Sequence, residues 1–175
     1  MFRGACLSGD APTTMQSSST PEVDQLIRWA FQREQAGDMA GALRSAREAL
    51  DLTCGRDCPV ERARALTTVA RYRFRFGQYD LARSLAREAL ALTDPDHEPQ
   101  ASIYTEALLL LGMCAAETHS LAECEHYYRR AADLACEIGN QWLYMRALHN
   151  VGSGGYLFRG QTDPAITADS QALRL

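Results

Sequence analysis

The chain contains no lysine, because all 18 of its basic residues are arginines. This absence excludes a P-loop lysine, a kinase-type lysine and any lysine that forms a Schiff base with a substrate. The four histidines are scattered, and none belongs to an HExxH motif or to a zinc-deaminase motif. We therefore predict no catalytic residues, no cofactor and no bound metal, and we expect a protein that is not an enzyme.

Long apolar runs are also missing, since no stretch approaches the roughly 18 residues that a membrane span requires. Residues 1–20 include one arginine but lack the apolar core of a secretory signal. We interpret residues 1–20 as a flexible polar lead and predict a cytoplasmic protein. The net charge of −4 disfavours a nucleic-acid binder, because phosphate contacts usually come with a basic surplus.

The six cysteines offer little support for disulfide or metal chemistry. Cys114, Cys124 and Cys136 fall within amphipathic helical patterns, where cysteine behaves as a small hydrophobic residue. Cys54 and Cys58 share one loop, but a zinc site would need further ligands, and no other histidine or cysteine is close in sequence. We interpret this pair as incidental or structural, with a redox pair or a metal site as the alternative.

What the chain has in abundance is helical repetition. Segments that begin at Trp29, Val69 and Leu111 align without a gap, and a fourth from Val151 needs one extra residue. Small residues recur at steps of 40, 42 and 41 residues, at Ala42, Ala82, Cys124 and Ala165. Two further sets are Ala49, Ala89, Ala131 and Ala172, and Ala30, Ala70, Gly112 and Gly152. A fixed period near 40 with two helices per unit predicts an all-α fold, an α-solenoid of four units.

Turn and cap signals divide the chain into eight helices. Gly37 and Gly77 fit the left-handed position after a helix, and the third unit has His119 in that place. Ser120 and Glu123 fit a capping box. The predicted helices span residues 21–36, 39–53, 59–76, 79–92, 99–118, 121–138, 141–158 and 164–174.

This pattern resembles the tetratricopeptide repeat family from Pro21 to Leu175, through the Gly37-Asp38 turn and the spaced small residues. The resemblance implies a right-handed superhelix that binds protein or peptide partners. Its units would span about 21–57, 58–97, 98–139 and 140–175. The period near 40 is similar to that of the longer variant in bacterial regulators, such as LuxR-type activators with a signal-transduction ATPase and cyclase-linked sensors. A role in signalling or transcription regulation is therefore implied.

In this family the first helix of each unit lines a groove in which ligands lie. The resemblance therefore implies groove candidates at Arg64, Thr67, Arg71, Arg75, Met113, Arg146, His149, Asn150 and Tyr156, with Glu106, Leu109, Glu117 and Ser153 as further positions. Such a groove suits an acidic peptide, a C-terminal carboxylate or an anionic small molecule. The alternative is that these residues are merely exposed polar faces. We expect an interaction or scaffolding module, with a ligand-sensing domain as the alternative.

The stretch RYRFRFG, residues 71–77, alternates arginine and aromatic residues as an edge strand does. On a helix, however, Arg71 and Arg75 share one stripe, and Tyr72 and Phe76 fall on the packing face. Arg73 points into the apolar arc and must find acceptors there. We hypothesise a carboxylate partner from the following helices, either Glu48 or Glu88.

The end of the chain carries two further features. Gly154 and Gly155 lie inside a predicted helix, which indicates either close packing of another helix or a ligand or hinge that needs backbone access. No polar capping element follows the eighth helix. We expect either a fragment of a larger regulator or a C-terminal end that binds another copy or a partner.

Overall fold

A computed structural model describes residues 21–156 together with Thr167 and Ser170. Within this range the chain is helical and contains no strand, which confirms the predicted all-α solenoid. The elements in order are α1 (Pro21–Gln35), α2 (Met39–Leu52), α3 (Pro59–Arg75), α4 (Tyr79–Ala91), α5 (Gln100–Glu117), α6 (Leu121–Glu137), α7 (Gln141–Asn150) and a π-helical segment (Val151–Tyr156).

The tight turns share one backbone geometry. Gly37 and Gly77 adopt φ values of +82° and +71°, as predicted for the left-handed position. His119 takes the same conformation at φ +59° without being glycine. The amide of Ser120 then donates to the carbonyl of Ala115 at 2.8 Å, so the third turn closes as the glycine turns do.

Side-chain caps form at the start of α2 and of α7, and the one predicted for α6 is missing. Asp38 accepts a hydrogen bond from the Gly41 amide at 2.8 Å, and Asn140 caps α7 in the same way. The capping box predicted at Ser120 is wrong, because the Ser120 side chain makes no capping bond. The Ser120 amide that Glu123 would have to satisfy already donates to a carbonyl of the preceding helix.

The recurring small residues lie where helices approach each other. Ala30 and Ala42 are fully buried and pack with Val69 of the next unit. A Cβ atom added to Gly112 would lie 2.5 Å from the Tyr128 ring, so α5 and α6 meet too closely for any side chain there. The members predicted at Ala165 and Ala172 fall outside the described residues.

The core is centred on α5, which contacts α3, α4, α6 and α7. Because neighbours surround this helix, its leucines are buried on every side rather than along one stripe, as at Leu108, Leu109 and Leu111. Over residues 21–156, no helix combines the length and the hydrophobicity of a membrane span.

The bounds of the first six helices differ from the predicted ones by one residue at most. The predicted seventh helix, 141–158, is corrected, because the α-helix ends at Asn150 and continues as the π-helical segment. Glycine is a weak α-helix former, and three of the six residues in this segment are glycines. Of the predicted eighth helix only Thr167 and Ser170 are described, and both are helical. The predicted C-terminal association surface therefore lies outside the described residues.

Residues 71–75 of the RYRFRFG stretch lie in α3, and Tyr72 is fully buried. Phe76 was expected on the packing face but is 46% exposed, because the helix ends at Arg75 and the following residue leaves the helical face.

The hypothesis for Arg73 is wrong. Its Nη1 donates to Gln78 Oε1 at 2.7 Å, and in the described part of the chain it pairs with neither Glu48 nor Glu88. Glu88 instead accepts from Arg62 at 2.7 Å. In the turn after α3 the backbone amide of Gln78 donates to the Arg73 carbonyl at 2.9 Å. The Gln78 side chain therefore lies beside Arg73 and supplies a local acceptor.

Candidate functional site

A cleft of about 270 Å³ lies between the first helices of the four units. These helices, α1, α3, α5 and α7, contact one another in that order, so each contributes side chains to one cavity. The residues that line it are Glu34, Arg71, Phe74, Arg75, Glu106, Leu110, Met113, Trp142 and Arg146.

The structure brings together Arg71, Arg75, Met113 and Arg146 among the nine residues predicted for the groove. His149 and Asn150 lie on α7 but do not line this cleft, and the Tyr156 side chain is outside the described residues. Arg64 donates to Asp24 at 2.6 Å, which ties α3 to α1 beside the cleft.

The prediction that Thr67 faces the groove is wrong. Thr67 is 2% exposed, and its hydroxyl donates to the Ala63 carbonyl at 2.8 Å. Leu109, which occupies the same position in the third unit, is also fully buried. Ile27 holds this position in the first unit and is buried as well. The position faces the helices of the core in all three units, so neither Thr67 nor Leu109 can face a ligand in the groove.

The Arg75 side of the cleft is neutralised by a carboxylate. Arg75 lies 2.9 Å from Glu34 Oε1, and the buried Tyr72 hydroxyl donates to Glu34 Oε2 at 3.2 Å. Burial, followed by the charge of Glu34, raises the pKa of Tyr72 above its ordinary value. Glu34 is therefore held by two groups of α3, and the predicted cationic sector carries a compensating charge that comes from α1.

Arg71 is also compensated, although more loosely. Its guanidinium lies 3.4 Å from Glu106 on α5 and stands over the Phe31 ring at 4.8 Å. The contacts of Arg71 join the first helices of three successive units. Its charge is thereby shared between a carboxylate and an aromatic face.

Arg146 is the exception among the cleft arginines. Its guanidinium stacks over the Trp142 ring at 4.4 Å, and it forms no ion pair or hydrogen bond with any residue in the described part of the chain. Burial lowers the pKa of Arg146, Glu106 opposes this shift, and the charge of Arg71 adds to it. The side chain nonetheless stays a cation at neutral pH.

The charges of the cleft sum to one surplus positive charge, since three arginines face two glutamates. The glutamates are engaged by Arg75 and Arg71, so the surplus resides on the half-buried Arg146. A half-buried guanidinium without a carboxylate is a favourable place for an anion that can accept its hydrogen bonds.

Apolar surface lies next to this cation. Phe74, Leu110 and Met113 contribute from α3 and α5, and Trp142 of α7 is 53% exposed. A ligand that places a carboxylate on Arg146 would therefore lay an adjoining apolar group against these side chains. Within residues 21–156, no cluster of histidine, cysteine and carboxylate side chains is placed to hold a metal ion.

Glu34, Phe74, Leu110 and Trp142 line the cleft but were not predicted to do so. A usable signal was nevertheless present in the repeat alignment. One position of the first helix alternates in charge from unit to unit, in the order Asp24, Arg64, Glu106 and Arg146. Alternating signs at one repeat position favour pairing between neighbouring first helices, and the structure forms one of these pairs, between Arg64 and Asp24, whereas Glu106 pairs with Arg71 instead.

No protein-family model matches the chain, and no curated protein matches its sequence. Two crystal structures of MamA resemble it in fold. One has a TM-score of 0.59 and 18% identity, and the likeness covers 89% of this chain and 79% of that chain. The other has a TM-score of 0.50 and 16% identity, with 89% and 92% covered. At this identity the likeness concerns the fold alone, and it supports the tetratricopeptide-like helical solenoid.

Proposed function

We propose that this chain is a non-enzymatic protein-interaction module whose cleft takes up a carboxylate-bearing segment of a partner protein. The observation that carries the proposal is the half-buried Arg146, which stacks on Trp142 and forms no ion pair with a carboxylate of the described residues. A partner carboxylate would supply the missing acceptor and balance the surplus charge of the cleft.

The charge balance also indicates what kind of anion fits. Because Glu106 and Glu34 already engage two of the arginines, a single negative charge completes the set. A carboxylate next to an aromatic or aliphatic residue would match both the cation and the apolar side chains around it. An extended peptide segment can present the two groups together.

The test compares Arg146→Gln with Arg87→Gln, which removes the same charge from an exposed position on α4. The probes are synthetic peptides that place Asp or Glu beside an apolar residue, each with an Asn or Gln counterpart. Calorimetry and Trp fluorescence report binding. A hydrogen bond to a charged group contributes about 1.5–3 kcal/mol, so Arg146→Gln should weaken binding by about tenfold or more.

A second variant has the opposite expected effect. Glu106→Gln removes the carboxylate that competes for Arg71, so it should strengthen binding of the same acidic peptides. If acidic peptides bind no better than their amide counterparts, or if Arg87→Gln weakens binding as much as Arg146→Gln does, the proposal is wrong.

The alternative function is a ligand-sensing domain for a small anionic effector. It is favoured by the modest size of the cleft, about 270 Å³, which is close to the lower limit of about 300 Å³ for small-molecule sites. Thermal-shift measurements with monocarboxylates that bear an apolar group distinguish the two. Stabilisation by such a compound that Arg146→Gln abolishes, without any peptide binding, would favour the sensor.

We further propose that the module works within a cytoplasmic bacterial signalling or transcription-regulatory protein. The support is the repeat period near 40 residues, which is similar to that of the long-period repeats in such regulators. Affinity capture from the source cell, with Arg146→Gln as the matched negative bait, tests this context. Partners that are lost with this variant and that have no link to regulation would contradict it.

A further inference from the structure

A largely exposed stripe runs along α1 and one residue past its end at Gln35, and within it only Leu26 is partly buried, against the core residues Ala49 and Ala65. Glu22, Leu26, Trp29, Arg33 and Ala36 follow one another at spacings of four, three, four and three residues, which places them on one face. Trp29 is 46% exposed, and a shallow depression of about 300 Å³ lies beside it. We name these five residues the α1 stripe.

The later units show what the α1 stripe is built to do. The residues equivalent to Leu26 and Trp29 are buried in every later unit, and none is more than 8% exposed: Leu66, Leu108, Leu148, Val69, Leu111 and Val151. The preceding helix pair contributes to this cover, since Val69 packs with Ala30 and Ala46, and Leu111 packs with Ala70 and Ala86. Leu26 and Trp29 therefore belong to a surface that buries itself against another helix elsewhere in this fold.

Independently of the cleft, we propose that a second copy of this chain covers the α1 stripe, with the two α1 helices antiparallel about a two-fold axis. Four residues of the stripe are symmetric about the midpoint between Leu26 and Trp29, since Glu22 and Arg33 lie equally far from it on either side. Antiparallel packing about that midpoint sets Trp29 against the partner subunit's Leu26. It also sets Arg33 opposite the partner subunit's Glu22. One patch thus supplies both halves of its own apolar and charged contacts, as an isologous interface requires.

The charges on the stripe are available for this pairing. Arg33 has one weak contact, 3.9 Å to Asp38, and its side chain is about half exposed. Glu22 is exposed in the first turn of the helix. An interface built from one helix and its copy is smaller than the roughly 1,200 Å² of stable complexes, so the dimer is weak and depends on concentration.

The primary experiment is sedimentation equilibrium of the full chain from about 1 μM to about 1 mM, the span over which weak interfaces dissociate. The average mass should rise toward that of a dimer. Trp29→Glu should return it to the monomer, and Leu81→Glu, which changes another exposed apolar residue, should not. Circular dichroism verifies that both variants are folded.

Charge reversal tests the antiparallel register. Glu22→Arg and Arg33→Glu should each weaken association several-fold because each places like charges opposite one another. The double variant should restore it, since the pair is then re-formed in reverse. A monomer at every concentration overturns the proposal, whether the stripe is bare or covered by the protein's own chain. The proposal is also overturned if Trp29→Glu and Leu81→Glu weaken association equally, or if the double variant does not recover association.

Discussion

Arg64 and Arg146 occupy the same position in the second and fourth units, yet their surroundings differ. Arg64 reaches Asp24 on the preceding first helix at 2.6 Å. The carboxylate that precedes Arg146 at this position is Glu106, and Glu106 already lies 3.4 Å from Arg71. One repeat position therefore holds a structural ion pair at one end of the molecule and an available cation at the other.

The contact between α1 and α3 and the contact between α5 and α7 also differ in their ion pairs. Between α1 and α3, Glu34 and Asp24 each accept from an arginine, and Glu34 also accepts from Tyr72. Between α5 and α7, the described residues form no ion pair. The comparison shows that the role of a charged residue in a repeat depends on whether the oppositely charged residue of the neighbouring unit is already paired with another side chain.

The largest expected change in stability comes from a substitution in the contact between α1 and α3. Glu34→Ala removes the acceptor of the buried Tyr72 hydroxyl and should lower the free energy of unfolding by about 1–3 kcal/mol. Glu106→Ala, at the looser contact, should cost below about 1 kcal/mol. Urea unfolding of both variants measures the difference. Equal losses would contradict the asymmetry between the two contacts.

A pH titration gives the next effect. The pKa of Tyr72 is raised in the folded state by burial and by Glu34. Its contribution to stability is therefore complete below the unfolded pKa of about 10 and is lost as the pH rises above it. Urea unfolding between about pH 9 and about pH 11 should show a loss of about 1 kcal/mol.

The matched control for this titration is Tyr72→Phe, which should show a shallower decline over the same pH range. A residual decline is expected in both proteins, because burial also raises the pKa of Cys114 to about 11. Identical slopes in the two proteins would show that Tyr72 ionises as freely in the folded state as in the unfolded state.

The smallest effect compares the two equivalent arginines directly. Arg64→Leu removes a partly exposed ion pair and should destabilise by up to about 1 kcal/mol. Arg146→Leu removes a half-buried charge without an ion pair, so stability should stay level or rise slightly. Thermal unfolding of both variants is the measurement. A loss in Arg146→Leu as large as that in Arg64→Leu would mean that Arg146 is structural.

The fold was largely predictable because its signals are local. The small residues at Ala30, Ala42 and Gly112 mark close helix approaches, and Gly37 and Gly77 mark turns. Each feature depends on neighbours within one helix pair or on the repeat itself. The helix bounds therefore followed from periodicity and turn chemistry to within one residue for six helices.

The candidate site was predictable only in part. The stripe of Arg71 and Arg75 on α3 followed from helical geometry, but the carboxylates that neutralise both residues come from other helices. The partner of Arg73 was misassigned, because Gln78 of the following turn reaches it first. Thr67 was misplaced because the first helices pack on two neighbours, which widens their buried arc.

The sequence by itself determined the repeat, its period, the helices and the turns, since each depends on residues that are close along the chain. Only the tertiary structure decided which charges are paired. The ion pairs of the cleft join residues about 35 to 41 positions apart, and their formation depends on how one unit stacks on the next. That stacking leaves Arg146 without an ion pair among the described residues and gives Arg64 one with Asp24.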